Sequence, residues 1–283
     1  MRLPNCFIAG APKAGTDLLF YQLEQHPKIR MSPLKEPNYF AEEIRPENFH
    51  PSLRLHVERN VASVRDYLDA GAQQKRFGGM VTTLEDYARL FANAGEQRVV
   101  GEGSVCYLWS RTAAERIAEL IPGARVILVL MDPAERAFHQ YLKSLSDGNV
   151  THTFTRHLDL GFEDALGSPT QIRLFNPFLA FGEYADQVER YLKRFPREQI
   201  FLSLYEDTQV DWEGWFARLL RFLGVDSDFR PAAVEVPSTP HLPPDLPQPR
   251  LLPEERARLV DFYRTDILRL ESLIGRDLSA WVG

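Results

Sequence analysis

The stretch Gly10-Ala-Pro-Lys13-Ala-Gly15-Thr16 holds residue types that together grip an anion. It stands between the apolar run Cys6-Phe-Ile-Ala-Gly, read as a strand, and Asp17 to His26, where Leu18, Leu19, Tyr21 and Leu23 give helical spacing. A turn at such a junction aims successive backbone N–H groups, and the positive end of the helix, at an anionic ligand. Gly15 lets the chain approach that ligand closely, and Thr16 has a hydroxyl to donate. The nucleoside triphosphatase pattern G-x-x-x-x-G-K-[ST] would put lysine immediately before Thr16. Here Lys13 lies three residues earlier, so its charge approaches from the turn rather than from the helix. The strand-like run Val126 to Met131 ends in methionine before Asp132. It offers no convincing carboxylate for the Mg²⁺ that a nucleoside triphosphate enzyme needs. The competing reading is a strand–turn–helix whose Pro and Gly serve only the turn; the whole loop in this context weighs against it.

The rest of the chain supplies elements to position that loop. Arg98-Val-Val-Gly leads into a loop at Glu102 to Tyr107, and Ala113 to Leu120 repeats apolar positions at helical spacing until Pro122-Gly123. Arg125-Val-Ile-Leu-Val-Leu-Met is apolar on both faces, as a central parallel strand is. Further helices are expected over Leu84 to Asn93, from Pro133, over Phe178 to Phe195, Trp212 to Leu223 and Glu254 to Ile274, with a strand at Ile200-Phe-Leu-Ser-Leu. Strands alternating with helices predict an α/β fold, a central parallel sheet flanked by helices. Two polar excursions, 41–80 (with some helix) and 146–170, interrupt it. Residues 231–253 contain eight of the 20 prolines and read as an extended surface segment. No linker or repeat divides 1–283, so one domain is expected.

Composition narrows the classes. The 283 residues carry 39 Asp+Glu against 33 Lys+Arg, a formal charge of −6, which argues against a nucleic-acid binder. No apolar run approaches the ~20 residues of a membrane helix. The start lacks a signal-peptide apolar region and runs directly into the first strand. Cys6 and Cys106 give neither a disulfide framework nor a metal-ligand spacing, and both read as small buried hydrophobes. A soluble, cytoplasmic protein without a metal is the expectation.

Pro12-Lys-Ala-Gly-Thr16 resembles the 5′-phosphosulfate loop of sulfotransferases that use 3′-phosphoadenosine 5′-phosphosulfate (PAPS). Further stretches agree in order with the bacterial and Golgi-type carbohydrate branch. Lys35-Glu-Pro-Asn-Tyr-Phe40 is similar to its K-E-P-x-F-F segment, and Gly101-Glu-Gly-Ser104-Val-Cys-Tyr107 to its G-E-K-S-P-x-Y segment. Asp132-Pro-Ala-Glu-Arg136-Ala-Phe-His139-Gln-Tyr141 resembles its N-P-x-x-R-A-x-S-x-Y segment. The resemblance covers nearly the whole chain and implies a P-loop-like fold.

It also implies roles. Lys13 would stabilise the leaving phosphate, with the backbone of Ala14, Gly15, Thr16, Asp17 and Leu18 holding the 5′-phosphate. Glu36 would be the base that takes the acceptor's proton, its pKa raised beside an anionic donor. Lys35 would temper the repulsion or contact the donor; alternatively, Lys35-Glu36 is a solvated charge pair before a turn. His139 has three readings: a base, a helix-surface histidine, or the position of the serine that binds the 3′-phosphate, which the family pattern favours. Arg136 would anchor that region by ion pair or phosphate contact. Glu102 and Tyr107 would line the acceptor cleft, or are a strand-end Glu and a core Tyr.

Several positions depart from the pattern. Asp17 replaces a second threonine, and its carboxylate must turn away from a phosphate, as a cap or toward the acceptor. Met131 stands where some relatives carry a 3′-phosphate arginine, Gly103 replaces the lysine of G-E-K-S, and the Pro-rich stretch offers only His241 and Arg250. The 5′ side is therefore well provided and the 3′ side poorly. The expected reaction is sulfuryl transfer from PAPS to a hydroxyl or amine of a small-molecule or glycan acceptor. The alternatives are a metal-dependent P-loop kinase and a non-catalytic nucleotide-binding module on the same fold.

Overall fold

The computed structural model describes residues 2–166, 178–236 and 249–283. In chain order its elements are β1 (Cys6–Ile8), α1 (Thr16–Glu24), β2 (Ile29–Met31), β3 (Leu34–Lys35), α2 (Arg54–Asp69), β4 (Arg76–Phe77) and α3 (Leu84–Arg89). Next come β5 (Val99–Gly103), α4 (Cys106–Trp109), α5 (Ala113–Leu120), β6 (Arg125–Leu130), α6 (Pro133–Ser146) and α7 (Phe154–Leu166). The last are α8 (Tyr184–Arg194), β7 (Ile200–Leu204), α9 (Tyr205–Val210), α10 (Trp212–Leu223), α11 (Pro253–Ile274) and α12 (Ser279–Val282).

Five strands form one sheet in the order β2-β5-β1-β6-β7, and every pairing in it is parallel. The α/β expectation is borne out. β1 is central because Cys6, Phe7 and Ile8 are buried on both faces, and it registers Cys6 against Gly101 on one side and Arg125 on the other. The chain fills β2 and β5 on one side of β1, then crosses to β6 and β7. The order therefore reverses at β1, where open parallel sheets leave a crevice beyond the strand ends. β3 and β4 make a separate parallel pair beside it, Lys35 opposite Phe77.

Helices are held where the site needs them. Asp132 caps α6, its carboxylate accepting from the amides of Ala134 at 2.8 Å and Glu135 at 3.4 Å, and Pro133 occupies the first turn. Arg256 of α11 reaches back to Asp132 at 2.8 Å. Asp207 accepts from both terminal nitrogens of Arg276, at 2.7 and 2.9 Å, tying the C-terminal segment to the end of β7.

Some elements differ from expectation. The helix expected over Phe178 to Phe195 begins at Tyr184, after a 3₁₀ turn at Ala180–Gly182. The second excursion contains α7: Phe154, Leu158 and Phe162 recur every fourth residue and face the core, while the polar residues between them hide the pattern. β2, β3 and β4 have two or three residues each, too short for an alternating signature. Within the first excursion α2 supplies the expected helix. Residues 167–170 of the second excursion and 237–248 of the Pro-rich segment, His241 included, lie outside the described residues.

Candidate active site

The anion loop is built by β1 handing over to α1. The amides of Ala9 and Ala11 donate to the carbonyls of Ile127 and Val129 at 2.9 and 2.8 Å, so the loop rises from the sheet with its base stitched to β6. Gly10 is required there: a Cβ would stand 2.8 Å from Thr16 Cγ2 and 2.9 Å from the Val129 carbonyl. Lys13 and Gly15 both adopt left-handed backbone, with φ of 72° and 75°. These two reversals bring the chain into α1, whose N-terminus has no side-chain cap. The uncapped first turn leaves amide donors for a ligand. The Ala14 amide is an exception to the expected cradle, because it closes a turn to the Ala11 carbonyl at 3.2 Å.

Among the described residues Lys13 makes no ion pair. Burial pulls its pKa down, and the charges of Lys143 and Lys35 pull the same way against Asp17 and Asp147. A half-buried cation at the start of a helix suits a phosphate or phosphosulfate group, so the loop fits the 5′ end of PAPS.

The second wall is the segment after β3. Glu36 and Asn38 have φ of 61° and 59°; with Lys13 they are three of the four non-glycine residues at positive φ among the described residues. Pro37 makes this costlier for Glu36, since the residue before a proline is driven toward extended backbone. Such strain persists only where surroundings over-determine it. The Glu36 amide donates to the Gly103 carbonyl at 2.9 Å, and its own carbonyl accepts from Gly79 at 3.1 Å and from Asn38 Nδ2 at 2.9 Å.

Glu36 is 8% exposed. Lys35 Nζ lies 2.6 Å from Glu36 Oε1 and 2.6 Å from Asp17 Oδ1, and the Val105 amide donates to Glu36 Oε2 at 2.9 Å. Burial raises the Glu36 pKa, and Lys35 opposes that rise. Burial works against the Lys35 ammonium, but Glu36 and Asp17 more than restore it, so it stays charged. The rings of Phe77, half-exposed, and Phe20 stand 5.2 and 6.0 Å from Lys35 Nζ. The solvated-pair reading of Lys35-Glu36 is thus corrected: Lys35 is 1% exposed. Asp17, whose role was open in the sequence, turns its carboxylate to Lys35.

Glu102 and Tyr107 do not line an open cleft; both are fully buried behind Glu36. Glu102 accepts from Tyr87 Oη at 2.9 Å and Ser104 Oγ at 3.0 Å, and Ser104 Oγ accepts from the Asn38 amide at 3.2 Å. Burial lifts the Glu102 pKa to about 7 against its hydrogen bonds from Tyr107, Tyr87 and Ser104. Tyr107 Oη accepts from the Phe40 amide at 3.3 Å. These residues brace the Glu36–Asn38 loop from beneath. Asn38 and Ser104 lay within the motifs read from the sequence, but side-chain chemistry alone did not single them out.

On the 3′ side the residues separate. Arg136 is fully buried, its Nη2 donating to the Phe178 carbonyl at 2.7 Å and its Nη1 to Gln140 Oε1 at 2.5 Å. Among the described residues Arg136 makes no ion pair, and at 0% exposure it offers a phosphate no accessible face; its Nη2 also lies 3.5 Å from Tyr263 Oη, joining α6 to α11. His139 is half-buried, and its pKa is lowered by burial and then by the charge of Lys13, which places it near the anion loop. Lys143, one turn further along α6, adds positive charge on the same side. Met131 is buried.

An α/β sheet with an anion loop at its central strand and a braced carboxylate beside it defines the class. Comparison with known proteins makes the assignment specific. The model of the sulfotransferase family matches residues 4–229, and the chain belongs to that family. Among solved structures, a sulfotransferase from Alicyclobacillus acidocaldarius is similar at TM-score 0.76 and 31% identity, covering 99% of both chains. Human carbohydrate sulfotransferase 15 is 23% identical over 315 aligned positions, covering 99% of this chain and 54% of the relative. The human bifunctional heparan sulfate N-deacetylase/N-sulfotransferase 3 is 29% identical over 229 positions, covering 79% of this chain and 22% of the relative. The chain thus spans about half the length of the first of these curated relatives. The family resemblance and the fold it implied are borne out, and nothing in the comparisons supports a kinase. Among the described residues no helix is long and apolar enough to cross a membrane.

Proposed function

We propose that the chain, as one domain, transfers a sulfuryl group from PAPS to a hydroxyl or amine of a small-molecule or glycan acceptor. One observation carries this reading. The 2.6 Å contacts from Asp17 to Lys35 and from Lys35 to Glu36 link the base to the first turn of the phosphate-binding helix. A phosphosulfate on that turn and an acceptor at Glu36 would therefore be neighbours.

PAPS supplies the activated sulfuryl group. The chain's own residues do the rest. Lys13 and the first-turn amides of α1 hold the 5′-phosphate, and the Lys13 ammonium neutralises charge that develops as the sulfur–oxygen bond to that phosphate breaks. Glu36 takes the proton from the acceptor as its oxygen or nitrogen bonds to sulfur; the bonding pair leaves with the phosphate. The Val105 amide and Lys35 fix the carboxylate so that its remaining lone pairs face the acceptor. His139 and Lys143, whose charges couple to Lys13, are the candidates for the 3′-phosphate. Relatives named for carbohydrate and heparan sulfate support a glycan acceptor, while the net charge of −6 favours a neutral or cationic acceptor over a highly sulfated one. A cytoplasmic location belongs to the same proposal, supported by two free, buried cysteines.

Calorimetry with 3′-phosphoadenosine 5′-phosphate (PAP) beside ATP with Mg²⁺ tests the donor. PAP is expected to bind and ATP to bind less well; preference for ATP sinks the proposal. Binding of PAP with no transfer to any neutral, cationic or glycan acceptor offered would favour the non-catalytic module.

A further inference from the structure

Lys35 shares one ammonium between two carboxylates, Asp17 at 2.6 Å and Glu36 at 2.6 Å, and all three are largely withdrawn from water. A carboxylate in an exclusive, buried ion pair is held so firmly in its charged form that it accepts protons poorly. Asp17 prevents that exclusivity. It comes from α1, while Lys35 and Glu36 come from the end of β3, so the three meet only in the folded chain.

We propose that Asp17 is a positioning residue for the Glu36 base: it takes part of the Lys35 ammonium, fixes that ammonium against the first turn of α1, and keeps Glu36 able to accept a proton. This rests on the reading of Glu36 as the base. The groups facing Glu36 are Lys35, Asp17, the Val105 amide, the buried Cys106 thiol and Glu102. Lys13 acts on the Asp17–Lys35 pair from the anion loop. Burial is the chief cause of the raised Glu36 pKa, and the Asp17 charge adds to it while Lys35 lowers it. Removing the Asp17 charge takes away a repulsion and leaves Lys35 wholly to Glu36, and both changes favour the ionised carboxylate.

The test needs no acceptor. Carboxyl titration of the full chain is followed by infrared difference spectroscopy, with Glu36→Gln as the subtraction reference, in the wild type and in Asp17→Asn. The Glu36 midpoint is expected to move to lower pH in Asp17→Asn while the thermal unfolding curve stays cooperative. If Asp17→Asn does not fold, Asp17→Ser provides the same loss of charge. A folded variant with an unmoved or raised midpoint overturns the proposal, since a merely structural Asp17 would leave the midpoint in place. PAP calorimetry on the wild type separates the two readings. A moved midpoint without PAP binding upholds the coupling and removes the sulfotransferase function. PAP binding with an unmoved midpoint removes the coupling and leaves that function standing.

Discussion

The Val105 amide donates to Glu36 Oε2 at 2.9 Å across 69 residues of sequence. The loop that follows β5 thus holds the carboxylate of the loop that follows β3, and the central sheet fixes the distance between them. Because Ser104 beside it also accepts from the Asn38 amide, the strained segment is clamped at both ends.

Lys13→Ala separates chemistry from folding. The ammonium makes no ion pair among the described residues, so the melting temperature should change little. Sulfuryl transfer should fall by about 10²–10³-fold, the scale for losing one preorganised charge at a developing anion. Steady-state rates beside a thermal melt check both halves.

Glu36→Gln should lower kcat by roughly 10²–10⁴-fold, the contribution of a positioned base. PAP affinity should barely change. In the wild type the base works when deprotonated, and burial raises its pKa. The acid limb of kcat/KM should therefore lie above the usual carboxylate range, with activity lost as pH falls through it. A pH–rate profile that stays flat down to the ordinary glutamate range would contradict this assignment.

Gly15→Ala should damage the loop and the donor site together. Its φ of 75° disfavours a side chain, and the new methyl would stand 3.3 Å from the Tyr205 ring. A loss of about 1–2 kcal/mol in stability is expected from the backbone alone. Denaturant unfolding and PAP titration read the two effects; unchanged PAP affinity would show that the loop does not hold the donor.

Asp207→Asn probes the C-terminal tie. Arg276 hydrogen-bonded to Asp207 is the largest cause holding its pKa down, to about 2. A depressed folded-state pKa gives stability that is present above the unfolded value, near 4 for aspartate, and lost as pH falls through about 2. The variant should be less stable than wild type by about 1 kcal/mol at neutral pH, with the two curves converging in strong acid.

The sheet and the anion loop were legible because their signals are local. β6 is apolar on both faces, and the Gly10 to Thr16 turn carries its chemistry within seven residues. α7 was hidden by polar residues between its core positions and by Gly161, which weakens a helical pattern by about 1 kcal/mol. At the site, Lys13 and Glu36 could be named from their motifs. The Asp17–Lys35 contact could not, because 18 positions separate the two residues and only the docking of β3 beside α1 joins them. Glu102 and Tyr107 stayed open between cleft and core, because motif membership does not say which face of β5 or α4 turns to the ligand. The αL backbone of Glu36 was likewise invisible, since Pro37 argues locally for the opposite.

Laboratory selection for heat tolerance runs against this site. Exchanging Lys13, Glu36 or Asn38 for glycine would ease left-handed backbone by on the order of 1 kcal/mol at each position. It would also delete the ammonium, the carboxylate or the amide that braces it. At Glu36 and Asn38 the lost ion pair and hydrogen bonds outweigh that relief, so libraries sorted by residual fold after heating are expected to enrich glycine at Lys13 and yield sturdier, inert proteins. Libraries sorted by turnover should keep all three.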